Sequence, residues 1–180
     1  MVLSQPAIRA SLVLGMCVLW TAHAGEPPSH RDKIKAGFLY NFAKFSQWPA
    51  ETFSRPGQTF NFCILGNESL SSAMLLFSNK MVNSHPIDTR PLVHSSEVKG
   101  CHLLYIGSSQ QQNWERILAR LEDAAVLTVA EFEKFVLRDG TVRIFEMNNR
   151  LRFEINVRAA RSARISISSK LLSLATTVHH

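Results

Sequence analysis

The chain has 180 residues, 46% of them hydrophobic and 19% charged, with a formal net charge of +6. That length suits one domain with a core of its own, and no internal repeat, low-complexity tract or long linker interrupts it. The charge excess is local: from Arg138 to Lys170 eight basic residues face only Asp139, Glu146 and Glu154, whereas the stretch from Gly25 to Leu137 is balanced. These cations lack interleaved exposed aromatics, which argues against nucleic acid as a partner. A charge run of this kind is first a solvated face and second a surface for a partner of opposite sign.

Residues 1–24 have the parts of a cleavable secretory signal. Arg9 is the positive n-region, Ser11 to Trp20 the short apolar h-region, and Ala22-His23-Ala24 an A-x-A cleavage site. The apolar run is shorter than the roughly 20 residues a spanning helix needs. The expectation is export to the periplasm, with a single domain over residues 25–180. Cys17 leaves with the signal, so Cys63 and Cys101 remain as an even pair in an oxidising compartment. Neither has a local cation or helix start to activate a thiol, which favours a structural disulfide between neighbouring strands or their ends.

The first folded element is a helix over 31–47. Ser29 with Asp32 three residues on resembles a capping box, and Trp48-Pro49 stops it. Ile34, Phe38, Phe42 and Phe45 recur at helical spacing, widened by Leu39 and Ala43, and should face the core. Alternating units follow: a strand at 59–65, a helical stretch at 70–77, an edge strand at 87–92 marked by Pro86 and Pro91, and a buried strand at 102–106. A helix at 110–121, a buried strand at 125–129 and a brief helix at 130–135 come next. The rhythm predicts an α/β fold with a mixed, mainly parallel sheet flanked by helices. Segments 141–147 and 150–157 flank Asn148-Asn149 and form an antiparallel hairpin. The chain should close with a helix over 168–178.

Catalytic chemistry finds little support. No two histidines stand at metal-ligand spacing on a helix, and no nucleophile elbow, phosphate-binding loop or dinucleotide fingerprint occurs. No metal, cofactor or enzymatic activity is therefore expected. His179-His180 reads as a frayed tail. Gly66 and the run Gly107-Ser108-Ser109 stand after strands, where α/β sheets bind ligands, which keeps a small-molecule sensor open as an alternative function.

Two long segments carry a family resemblance. KIKAGFLYNFAKFSQWP (33–49) resembles the opening helix of the YfiR-like proteins, and RFEINVRAARSARISISSKLLSLA (152–175) their closing strand and helices. GCHLLYIG (100–107) and AVLTVAE (125–131) are similar to the family's middle strands in order and spacing. The positions that match are Phe38, Tyr40, Asn41, Phe42, Trp48 and Pro49 at the start. At the end they are Arg152, Phe153, Glu154, Ile155 and Asn156, then Ser169, Lys170 and Leu171. The resemblance implies a periplasmic α/β protein that acts by binding. It would repress an inner-membrane diguanylate cyclase of the YfiN type through that enzyme's periplasmic domain, lowering cyclic-di-GMP and biofilm formation. It also implies sequestration by an outer-membrane lipoprotein and formation of a homodimer. Some members have a second cysteine pair, which this chain lacks, so redox control through such a pair is not carried over.

Within the closing segment, Leu151, Phe153 and Ile155 alternate with Arg152, Glu154 and Asn156. The apolar trio belongs to the core. The polar trio is either a solvated ladder, with Arg152 paired to Glu154, or a contact surface that Lys170 reaches from the terminal helix.

Overall fold

A computed structural model describes residues 27–180, Pro56 apart, so the expected signal segment lies outside the described residues. Helix α1 (His30–Lys44) starts at Ser29, whose side chain accepts the Asp32 amide hydrogen at 3.1 Å. Its buried line runs through Asp32, Lys35, Ala36, Leu39, Phe42 and Ala43. That is the predicted stripe rotated by about one position. Ile34, expected inside, is 43% exposed, and two charged residues are inside instead. They can be there because each has a charged partner, as described below.

Strand β1 (Ser46–Gln47) follows and pairs only with β9 (Ser166–Ile167). The main sheet has eight strands. Its parallel centre consists of β2 (Phe60–Leu65), β4 (His85–Leu92), β5 (Leu103–Ile106), β6 (Leu127–Ala130) and β7 (Val142–Met147). With β3 (Met81–Val82), β8 (Arg150–Asn156) and β10 (Thr177–His179), the order is β10-β8-β7-β6-β5-β2-β4-β3. Strand β4 is second from the edge, but β3 covers only His85 and Pro86, so most of its outer side is open. That is compatible with the two prolines. Strands β7 and β8 form the predicted hairpin, with Met147 opposite Arg150. Asn148 and Asn149 both take positive φ, 52° and 58°, as a tight hairpin turn of the primed type requires.

The covering helices are shorter than the sequence pattern implies. Helix α2 (Glu68–Met74) is capped by Asn67, α3 spans Trp114–Ala119, and the stretch expected to be helical at 130–135 is a loop that ends in a 3₁₀ turn at Phe135–Leu137. Helix α4 (Val157–Ser162) follows β8 directly, with Asn156 as its cap. The closing helix is a single turn, α5 (Ser169–Leu172), after which the chain forms β10 parallel to β8. The Leu stripe at 171–174 mimics a longer helix, yet Leu174 is 63% exposed while only Leu171 is buried. The β-branched run Thr176-Thr177-Val178 instead fills the free edge of β8, starting with the Thr176 amide donating to Phe153 O at 2.8 Å.

The sheet has a core on each face. One face packs Phe62, Ile64, Leu103, Val129, Ile144 and Phe153 against α1, α2 and α5. The other packs Leu104, Ile106, Trp114, Ile117 and Phe135 beside Cys63 and Cys101. Those two cysteines form the expected disulfide, with Cα atoms 5.7 Å apart and a sequence separation of 38. On the chain-entropy model a loop of this length contributes roughly 4 kcal/mol. Among the described residues no helix is long and apolar enough to cross a membrane.

Candidate functional site: an open sheet face

The second core includes no residue of β7, β8 or β10. On that side Arg143 and Phe145 project from β7 and Arg152 and Glu154 from β8, beside His179 of β10. They alternate with Val142, Ile144, Phe153 and Ile155, which are buried on the opposite side. Among the described residues the sheet therefore has an apolar core on both faces in the middle and on one face at this end.

The polar groups are organised around Glu154. Arg143 stands directly opposite it across the hairpin and donates from Nη1 to Oε1 at 2.9 Å, while His179 Nε2 lies 3.1 Å from Oε2. Burial alone would raise the Glu154 carboxyl, but the hydrogen bonds from His179 and Arg143 and the charge of Arg143 outweigh it and hold it below the usual carboxylate range. The Arg143 guanidinium also lies 5.0 Å from the centre of the Phe145 ring. Arg152, opposite Phe145 in register, is exposed and has no ion-pair partner among the described residues. Glu154 takes its partners from β7 and β10, so the Arg152–Glu154 pairing considered from the sequence does not form.

The four candidate contact residues do not converge. Arg152 and Glu154 share the open face. Asn156 is buried beneath its rim, where Nδ2 donates to Val136 O at 2.7 Å and Oδ1 accepts the Ala159 amide at 2.9 Å. Its position is structural. Lys170 lies in the other layer, its Nζ 5.2 Å from the Phe45 ring centre, and cannot reach the trio as the sequence allowed. The reading of the sequence missed Arg143, Phe145 and His179. The first two were accessible, because a hairpin places the alternate residues of 142–147 beside those of 150–156. His179, taken for a frayed tail, was not, since β10 was read as helix.

The strand ends near Gly66 and Gly107 pack against each other. The two loops touch, and a Cβ on Gly107 would sit 2.4 Å from Gly66 O. Next to them is a charged cluster at the carboxyl ends of the parallel strands. Lys35 Nζ is 2.6 Å from Glu131 Oε1 and 3.7 Å from Asp32 Oδ1, and the buried Tyr105 hydroxyl donates to Glu131. Asp32 also accepts the hydroxyls of Ser29 and Ser69, each at 2.7 Å. Burial and then the Glu131 charge push the Tyr105 hydroxyl far above its ordinary range. These groups satisfy one another and tie α1 to α2 and β6. Among the described residues no group of three or more His, Cys, Asp or Glu could hold a metal ion.

The sequence comparison decides the family: the model of the YfiR/HmsC-like family matches residues 32–176. The chain belongs to the YfiR/HmsC-like family. The fold agrees with a solved structure of a conserved domain protein from Vibrio cholerae O1 biovar El Tor, with a TM-score of 0.53 at 10% identity. That likeness covers 79% of this chain but 59% of the other, so the chain spans less than two thirds of that protein's length. No curated protein matches the sequence. Membership places this YfiR/HmsC-like chain in a regulatory rather than a catalytic family, in keeping with an open face built of ion pairs and an aromatic ring.

Proposed function

We propose that this YfiR/HmsC-like protein is a periplasmic repressor of an inner-membrane diguanylate cyclase. In this reading the open face of β7, β8 and β10 docks on the cyclase's periplasmic domain and holds the enzyme inactive, which lowers cyclic-di-GMP and biofilm formation. The family match carries the regulatory part of the reading. The open face supports the choice of surface. It presents Phe145 as an aromatic anchor, a network around Glu154 that fixes the geometry of Arg143, and Arg152 without an ion-pair partner. The face carries more positive than negative charge, so the complementary surface on the cyclase is acidic. The A-x-A signal and the paired cysteines support the compartment. An outer-membrane lipoprotein that sequesters the repressor, and a homodimer, complete the proposed set of partners.

Deletion of the gene should raise cellular cyclic-di-GMP in a strain that carries the candidate cyclase, and the wild-type gene should restore it. Unchanged levels with that cyclase present would sink the proposal. Arg152→Glu tests the surface: the variant should fold normally, lose retention of the cyclase's periplasmic domain in a pull-down, and fail to restore repression.

A further inference from the structure

A groove of about 500 Å³ lies where the first turns of α1 meet the turn between β7 and β8. The ion pair of Arg31 with Glu146 ties the two elements together there. The floor is apolar, with Ile34 and Phe38 from the helix and Leu151 from β8. Phe38 and Leu151 are half-buried against the core beneath. Ile34 is 43% exposed, and Met147, at the last register position of β7 before the turn, is 41% exposed. Single exposed apolar side chains are ordinary on a protein surface. These two stand at one end of the molecule, beside a groove whose floor is itself apolar.

The charge around them is positive. Arg31 is neutralised by Glu146. Lys33, on the same turn of α1, and Arg150, opposite Met147 across the hairpin turn, are exposed and have no ion-pair partner among the described residues. The acid of this turn, Asp32, is buried and bound to Lys35, so it leaves both cations free. None of the groove's described residues holds a buried side-chain atom that lacks a hydrogen-bond partner. This end thus offers long cationic side chains around half-exposed apolar groups, and no fixed polar group that calls for a directional partner. A folded acidic protein is met by such fixed hydrogen-bonding groups. A fluid anionic surface needs only the charge and the apolar area.

We propose that this end of the molecule rests on the anionic surface of a lipid bilayer. Lys33 and Arg150 lie among the phosphate headgroups, and Ile34 and Met147 enter the boundary between headgroups and acyl chains. In the proposed function this places the open face beside the bilayer that contains the cyclase, because Phe145 and Arg152 stand two residues in from the turn. The lipid contact itself needs no protein partner.

The test is co-sedimentation of the purified protein with vesicles of equal parts phosphatidylcholine and phosphatidylglycerol, with vesicles of phosphatidylcholine alone as the control. Binding is expected to the anionic vesicles only. Raising the salt from about 0.1 M to about 1 M, which shortens the screening length from about 10 Å to about 3 Å, should weaken it at least about tenfold. Lys33→Gln with Arg150→Gln should weaken it about thirtyfold, the scale of two cations near a charged membrane. Ile34→Ser with Met147→Ser should weaken it about tenfold through lost apolar burial. All four positions are exposed, so the fold is kept, as circular dichroism will check. Lys99→Gln with Arg120→Gln removes the same charge from the β4–β5 connection and the end of α3, and should bind within about twofold of the wild type. No binding to either vesicle, equal binding to both, or equal losses in the two charge-deleted variants would each overturn the proposal. The vesicles contain no cyclase, and the pull-down of its soluble periplasmic domain contains no lipid, so either reading can fail without the other.

Discussion

The two halves of the sheet's second face make different use of the same backbone. Under α3, strands β2, β5 and β6 bury Cys63, Leu104, Ile106 and Ala130 beside Trp114 and Phe135. On β7, β8 and β10 the equivalent positions are Arg143, Phe145, Arg152, Glu154 and His179, which belong to neither apolar core among the described residues. The opposite face of the same strands buries an apolar set that runs from Phe62 to Ile155. The polar positions are thus not a requirement of the sheet, but go with the end of the second apolar core among the described residues. Central parallel strands buried on both sides read as unbroken apolar runs, and a half-covered hairpin reads as alternation. The covered half contributes stability, and the open half is free to serve recognition.

The sharpest way to break this contrast is to truncate one aromatic in each half. Trp114→Ala should cost about 3–5 kcal/mol of unfolding free energy in urea, since it empties a buried site. Phe145→Ala should cost less than about 1 kcal/mol yet abolish retention of the cyclase's periplasmic domain. Equal costs would erase the distinction. Next comes the disulfide, which joins β2 to the entry of β5 within the covered half. Cys63→Ser with Cys101→Ser should lose about 2–4 kcal/mol and leave the open face intact by pull-down. If docking fell in step with stability, the two halves would be coupled.

Acid separates them further. His102, buried against Phe53 and Phe60, accepts the Asn61 amide on Nδ1 at 2.8 Å. Burial, then the charges of His85 and Arg90, lower its pKa to about 4. Its protonation is linked to unfolding: the stability it contributes is complete above the ordinary histidine pKa of about 6.5 and declines as pH falls from there towards 4. Glu154, whose carboxyl is held below its usual range, acts in the same direction at lower pH. Its contribution is present above about pH 4.5 and is lost as pH falls through its lowered folded value. Urea midpoints measured across pH should show a first decline below about 6.5 that His102→Gln flattens, and a later one that Glu154→Gln flattens. A single common transition would contradict this. The smallest effect on stability is expected for Arg152→Glu, within about 0.5 kcal/mol, because the side chain is exposed.

A second contrast concerns charge. Lys35, Asp32 and Glu131 are consumed by one another beneath α1, and Lys35→Met should cost about 3 kcal/mol by leaving two carboxylates without it. Nothing in the local pattern distinguishes that lysine from its neighbour Lys33, which is exposed. Burial of a charge depends on a partner that arrives from the far end of β6.

The sequence by itself determined what period and local chemistry encode. The Ser29 start of α1, the buried runs LLYI and LTVA, the Asn148-Asn149 turn and the alternation of 151–156 are nearest-neighbour effects, and the Cys63–Cys101 pairing follows from the count of cysteines after residue 24. Only the tertiary structure decided the rest. It ended the terminal helix at Leu172, because the open edge of β8 could accept Val178 as a strand. It buried Asn156 as a helix cap and put Lys170 in the opposite layer. It also gave Glu154 its partner His179 from β10. Those pairings bring together residues far apart in the chain, and no local period can specify them.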